Sequence, residues 1–235
     1  MSRRRRSRLI SLAAGLALLV GCNSNKPAPA PQPGTDSTQA APIPAPAPQP
    51  EDHRPVIVAF GDSLTAGYGT EPGKSYPDYL QADLDARGFH YRVLNEGVSG
   101  NTTKDGVERV DSIVAMKPAI VIVEFGGNDG LRGFRIEDTR ANLDQIVGAL
   151  KSGRARIALA GITLPPNYGP DYITQFNETY TLLAKKYDVP LLPFVLKDVY
   201  GVNGMMQSDN THATAEGNKI VAKNILPLII PLLKK

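Results

Sequence analysis

The chain has 235 residues, with 26 Lys or Arg against 23 Asp or Glu, three histidines and one cysteine. That length leaves room for one medium catalytic domain once any targeting and linker segments are set aside. Arg3, Arg4, Arg5, Arg6 and Arg8 supply five of the positive charges, so the formal +3 of the whole chain becomes −2 without them. A mildly acidic remainder argues against nucleic acid as a partner.

In chain order, the arginine cluster is followed by an apolar run over residues 9–20 and then by Gly21-Cys22. A charged start, a short apolar stretch and a small residue before the cut are the parts of a signal peptide, and the run is too short to span a bilayer comfortably. Residues 1–21 are therefore expected to be removed. Leu19-Val20-Gly21-Cys22 also resembles the lipobox of bacterial lipoproteins, in which the cysteine is acylated. Cys22 has no disulfide partner in the chain, so lipidation explains it better than a staple does. The expected location is the outside of a bacterial membrane, facing periplasm or exterior and held by the lipid, with the export route left open and the chain acting as a monomer.

From residue 22 to residue 54 the composition shifts to Pro, Ala, Gln, Ser and Thr. Such a segment cannot bury a core, and alternating proline extends it at ~3.1 Å per residue, which suits a tether. The folded domain is then expected over residues 55–235.

Within it, strand-like apolar runs at 56–60, 91–95, 119–124, 156–160 and 190–194 alternate with helical patterns near 75–87, 103–116, 137–151, 172–187 and 214–226. Near-continuous apolar strands joined by helical crossovers form a parallel sheet covered on both faces. The expected fold class is α/β, a three-layer α/β/α sandwich around a five-stranded parallel sheet. Reactive loops in such sheets lie beyond the carboxyl ends of the strands.

The first strand runs into Gly61-Asp62-Ser63-Leu64. A serine at the mouth of a short helical turn gains dipole support for negative charge beside it, which suits a nucleophile, although a lone Gly-Asp-Ser is more often an ordinary helix cap. A base is needed to tell these apart. His53 falls in the tether and His90 precedes the second strand, at the wrong end of the sheet, so His212 is left. Asp209 lies three residues before it, close enough to fix its tautomer. Glycine-rich turns follow the second and third strands, and the Gly100, Asn128 and Ser63 amides there suit an oxyanion hole. One cysteine and one available histidine are too few for a zinc site, and the first turn has neither G-x-G-x-x-G nor a P-loop lysine.

Taken together, Gly61-Asp62-Ser63-Leu64, Gly100, Gly126-Gly127-Asn128-Asp129 and Asp209-Asn210-Thr211-His212 resemble the four blocks of the SGNH, or GDSL-type, hydrolases. Gly130-Leu131-Arg132-Gly133 with Leu164-Pro165-Pro166-Asn167-Tyr168-Gly169 is similar to the bacterial thioesterase, lysophospholipase and arylesterase subfamily. Ala213 departs from the proline that commonly follows the histidine. The resemblance implies a flavodoxin-like fold and hydrolysis of esters or thioesters through an acyl-enzyme on Ser63. His212 would be the base and Asp209 its orienter, and no metal or cofactor is needed. Leu131, Phe134, Leu164 and Ile173 are the apolar candidates for an acyl groove, although core packing accounts equally well for Leu164 and Ile173. Carbohydrate O-deacetylation stays open as a second substrate class, and a tethered binding lipoprotein without turnover as a third reading. Gly130 and Gly133 bracket residues 131–132, which suggests a hinged lid after Asn128.

Overall fold

The structure, a computed structural model, describes residues 52–233. The expected signal peptide, the Cys22 anchor and all but the end of the tether lie outside the described residues. Within them no helix is long and apolar enough to cross a membrane.

Five strands form one parallel sheet: β1 Val56–Gly61, β2 Arg92–Gly97, β3 Ile120–Glu124, β4 Arg156–Ala160 and β5 Leu191–Leu192. Their order is β2-β1-β3-β4-β5, which is the flavodoxin-like arrangement. β1 and β3 lie in the middle and are buried on both faces, from Ile57 to Phe60 and from Ile120 to Val123. Removing such side chains from water is worth roughly 1.5–3 kcal/mol each, so these two strands anchor the core. β2 is an edge strand and more open. On α2, Tyr76–Ala86, the Gln81 side chain meets β2: Oε1 accepts from Val93 N at 2.7 Å and Nε2 donates to the Tyr91 carbonyl at 3.0 Å. Polar groups of an otherwise unpaired edge are thereby satisfied.

The order explains the layers. The chain leaves β1 through α2 to reach β2 on one side, then returns through α3, Thr103–Ala115, to β3 on the other side. Right-handed crossovers in opposite directions put the two helices on opposite faces. α5, Ile136–Ser152, packs beside α3, and α7, Ala215–Ile229, packs beside α2. α6, Pro170–Tyr187, lies against α5. Two short helices, α1 Ser63–Ala66 and α4 Gly127–Leu131, follow β1 and β3 directly and were not expected from periodicity, because four or five residues are too few to show one.

Among the boundaries that differ from expectation, two have a clear physical reason. The last strand is paired only over Leu191–Leu192, since Pro193 has no amide to give a ladder. The last helix runs past Pro227, where the sequence suggested a stop, because Ile225, Leu226 and Ile229 are buried and outweigh one lost backbone bond.

Candidate active site

The reversal of winding direction between β1 and β3 opens a crevice at their carboxyl ends. Ser63 enters it from the first turn of α1, whose N-cap is Asp62. Asp62 Oδ1 accepts from Leu64 N at 3.0 Å and so fixes the turn that carries the serine.

His212 arrives from the loop before α7. Asn210 takes a left-handed conformation, φ 52°, which folds the loop back so that Asp209 Oδ1 accepts from the Thr211 and His212 amides at 2.9 and 3.0 Å. Asp209 Oδ2 then lies 2.7 Å from His212 Nδ1, and His212 Nε2 lies 2.8 Å from Ser63 Oγ. Burial by itself lifts the Asp209 carboxyl, but the His212 ring and the Thr211 and His212 amides more than offset it and hold the group at about 2. An ionised Asp209 accepts, so Nδ1 carries the ring proton and Nε2 is left with its lone pair toward the serine hydroxyl. The Tyr68 ring rests against the imidazole, centroids 4.6 Å apart, and limits its swing.

Two further turns line the same crevice. Gly100 has φ +83°, which L side chains rarely adopt, and its carbonyl accepts from Arg132 Nη2 at 3.1 Å, so that the peptide is held from behind. Asn128 sits in the first turn of α4. Its Nδ2 donates to the Asn101 carbonyl at 2.9 Å and, at 3.3 Å, to Asp62 Oδ2. The longer of these is the weaker. Asp129 anchors this turn to α3 by accepting from Thr103 N at 2.9 Å.

Ser63, His212, Gly100 and Asn128 all border one cavity of about 410 Å³. Its walls are mostly apolar: Leu64, Leu131, Ile162, Leu164, Phe194 and Tyr200 are among them. Leu131 and Leu164 are thus where the sequence placed them. Phe134 and Ile173 are not among the lining residues. The turn at Gly133, φ +66°, sends the chain away from the cavity, and Phe134 closes it through N–H to the Asp129 carbonyl at 3.0 Å. Phe194 and Tyr200 follow β5, a place the strand-end rule points to but where no polar motif marks them. His53 and His90 are exposed and outside the cavity, His90 at the amino end of β2.

The lid expectation needs correction. Gly130 is a buried helical residue, and a Cβ there would lie 2.5 Å from Leu164 Cδ2, so close packing explains the glycine and a hinge does not. The segment is tied further by Tyr168 Oη to the Leu131 carbonyl at 2.8 Å and Tyr172 Oη to the Phe134 carbonyl at 2.7 Å. Among the described residues, no group of three or more His, Cys, Asp or Glu is placed to hold a metal.

Comparison with known proteins identifies relatives of this chain. The sequence profile described as the GDSL-like Lipase/Acylhydrolase family matches residues 59–220. Over 178 residues the chain is 38% identical to Esterase TesA of Pseudomonas aeruginosa, which covers 75% of this chain and 89% of that protein. It is 36% identical over 178 residues to thioesterase 1/protease 1/lysophospholipase L1 of Escherichia coli, covering 74% and 84%. A crystal structure of TesA superimposes with a TM-score of 0.73 at 38% identity, covering 76% of this chain and 99% of that one. Residues 59–220 span the Ser63 turn, both glycine-rich loops and the His212 loop, and by that match the chain belongs to the GDSL-like lipase/acylhydrolase family.

Proposed function

We propose that the protein hydrolyses carboxylic esters through an acyl-enzyme on Ser63. The observation that carries this reading is the unbroken chain from Asp209 through His212 to Ser63 Oγ at the edge of an apolar cavity. His212 Nε2 takes the serine proton as Oγ attacks the ester carbonyl, and Asp209 stabilises the imidazolium that results. The carbonyl oxygen gains negative charge and is received by the Ser63 and Gly100 amides and Asn128 Nδ2. His212 then gives its proton to the leaving alcohol. Water, activated by the same imidazole, attacks the acyl-serine and releases the acid.

The apolar walls favour a substrate with a hydrocarbon acyl group, of the aryl-ester, lysophospholipid or acyl-thioester kind, over an acetylated sugar. A cavity of about 410 Å³ lies within the ~300–1,000 Å³ range of small-molecule sites. The test is Ser63→Ala in the purified protein, assayed on an aryl-ester series. The expected result is loss of turnover with an unchanged circular dichroism spectrum, and undiminished turnover would rule out the mechanism.

The sequence of the amino-terminal segment supports a second part of the proposal, that Cys22 carries a lipid and tethers the catalytic domain to a membrane through residues 23–54. Asn23, which is not aspartate, gives no signal for retention at an inner membrane if the host has two. Fatty-acid labelling that disappears in Cys22→Ala is the expected outcome, and an equally labelled variant would refute it.

A further inference from the structure

The loop that carries Gly100 is held by an arginine that the mechanism above does not use. Val98 to Asn101 form a tight turn, in which Asn101 N donates to the Val98 carbonyl at 3.2 Å. Gly100, φ +83°, stands at the third position, a place where turns of this kind favour a positive φ and glycine. The turn takes up the Asn101 amide and not that of Gly100, which borders the cavity. At its start, Val98 N donates to the Gly61 carbonyl at 3.1 Å, beside the Ser63 turn.

Asn101 is the corner of this arrangement. Its backbone carbonyl accepts from Asn128 Nδ2 at 2.9 Å, and its side-chain Oδ1 accepts from Arg109 Nη1. Arg109 sits on the second turn of α3, which begins two residues after Asn101. Helical side chains lean toward the amino end of their helix, so Arg109 reaches back along α3 to the loop that precedes it. Its other terminal nitrogen, Nη2, donates to the Glu96 carbonyl near the end of β2. One guanidinium therefore closes the loop across both of its ends, from residue 96 to residue 101. The same group lies over the ring of the fully buried Phe60, 5.0 Å from the centroid, so the core side of β1 seats it as well.

We propose that Arg109 is a positioning residue for the oxyanion hole: seated on Phe60 and bridging Glu96 to Asn101, it fixes the Gly100 turn and the Asn101 carbonyl that orients Asn128 Nδ2. The proposal rests on the reading of Gly100 and Asn128 as oxyanion donors. Two donors on different loops act together only if their separation is fixed before the charge develops. Asn101 joins them, since it closes the turn of one and accepts from the other, and Arg109 fixes Asn101 against the sheet. A planar fork can serve two acceptors and a ring face at once, which the point charge of a lysine cannot.

The setting of the guanidinium agrees with such a role. Arg109 is half-buried and forms no ion pair among the described residues. Burial lowers its pKa against the charges of Glu96 and Asp105, yet a guanidinium stays protonated at neutral pH. A partly desolvated cation without a paired carboxylate is costly to keep, and here two loop acceptors and a ring face compensate it.

The test compares Arg109→Lys, which keeps the charge and gives up the fork, with Asn101→Ala and with the double variant, all in the full chain on an aryl ester. Arg109→Lys should lower kcat by about 10- to 100-fold with KM little changed, the loss expected when reacting groups are slightly misplaced. Asn101→Ala should also lower kcat, and the double variant should be no worse than Arg109→Lys alone, because the same link is cut twice. Nuclear magnetic resonance without substrate gives a readout independent of ester hydrolysis: the Gly100 amide and the Asn128 side-chain amide should shift in Arg109→Lys, while the Leu64 amide, held by Asp62, stays in place. An unchanged kcat, a loss confined to KM, losses that multiply in the double variant, or unmoved Gly100 and Asn128 signals would overturn the proposal. Should Arg109→Lys not fold, Asn101→Ala decides by itself, since it cuts the link to Asn101 and leaves the Phe60 contact intact. Undiminished kcat in Asn128→Ala would instead sink the oxyanion reading, and the resonance shifts would still show whether Arg109 sets this corner.

Discussion

The Gln207 side-chain amide donates to the Tyr68 carbonyl at 2.7 Å, across 139 residues of sequence, and to the Ala213 carbonyl at 2.9 Å. One side chain thus ties the turn that carries Ser63 to the loop that carries His212. Gly69 makes room for it, since a Cβ there would lie 2.2 Å from Gln207 Oε1. Gln207→Ala frees the two loops to drift apart and should cost about 1–2 kcal/mol of alignment, roughly 5- to 30-fold in kcat/KM, with a small change in Tm. Steady-state kinetics that match the wild type would show that the loops hold their distance without it.

The two histidines of the described domain that lie outside the tether should behave in opposite ways. His212→Gln removes the base and should lower kcat by roughly 10⁴-fold or more. His90→Gln, at the far end of the sheet, should leave kcat and KM as they are. Loss of activity in the second variant would mean that the imidazole 2.8 Å from Ser63 Oγ is not the one that matters.

Chain-length preference should respond to Leu131 and not to Phe134. Leu131 lines the cavity but is 41% exposed, so Leu131→Ser should weaken medium-chain esters relative to acetate by only about 1 kcal/mol. Phe134→Ser should shift both substrates equally or not at all. A larger selective effect at Phe134 would mean that residues 131–134 rearrange when substrate binds.

Stability should depend on pH with opposite signs at two places. The buried Asp62 and Glu124 carboxyls bind protons more tightly when folded than at their ordinary values of 3.8 and 4.5. Above those values the folded chain holds the extra proton, so stability falls as pH rises toward the folded titration of the pair. Asp209, held at about 2, acts the other way: its contribution is present above 3.8 and is lost as pH falls toward 2. Its carboxylate is 41% exposed, so solvent screening keeps that contribution small. Thermal melts across pH should show a flatter neutral-to-alkaline limb for Glu124→Gln and a flatter limb below pH 3.8 for Asp209→Asn, each compared with the wild type.

Much of the fold could be read from the residues because local rules sufficed. The apolar runs of β1 and β3 can only be doubly buried strands, and helices at 3.6-residue spacing between them force parallel pairing and crossovers. The choice of His212 as candidate base followed from residue scarcity, since three histidines, two of them misplaced, leave one candidate, whereas Ser63 followed from its place after the first strand and Asp209 from its spacing to His212. The Asp209–His212 contact spans three residues and is a property of one loop, so it too was legible. The hinge inferred at Gly130 was not, because glycine serves freedom and close packing alike, and only the Leu164 side chain above it tells which.

What the sequence by itself determined, then, was which residues sit at the carboxyl ends of the strands, since that depends on order along one chain. The tertiary structure decided what those residues touch. Phe194 and Tyr200 line the cavity because the end of β5 lies across from the loop after β4, and Phe134, six residues from Asn128, does not because Gly133 turns it outward. Glu124 comes to lie behind the Ser63 turn only because β1 and β3 are neighbours in register, Gly61 opposite Glu124, and Asp62 and Glu124 are both buried there. Contacts across strands depend on register and burial, and neither is encoded in the spacing of a motif.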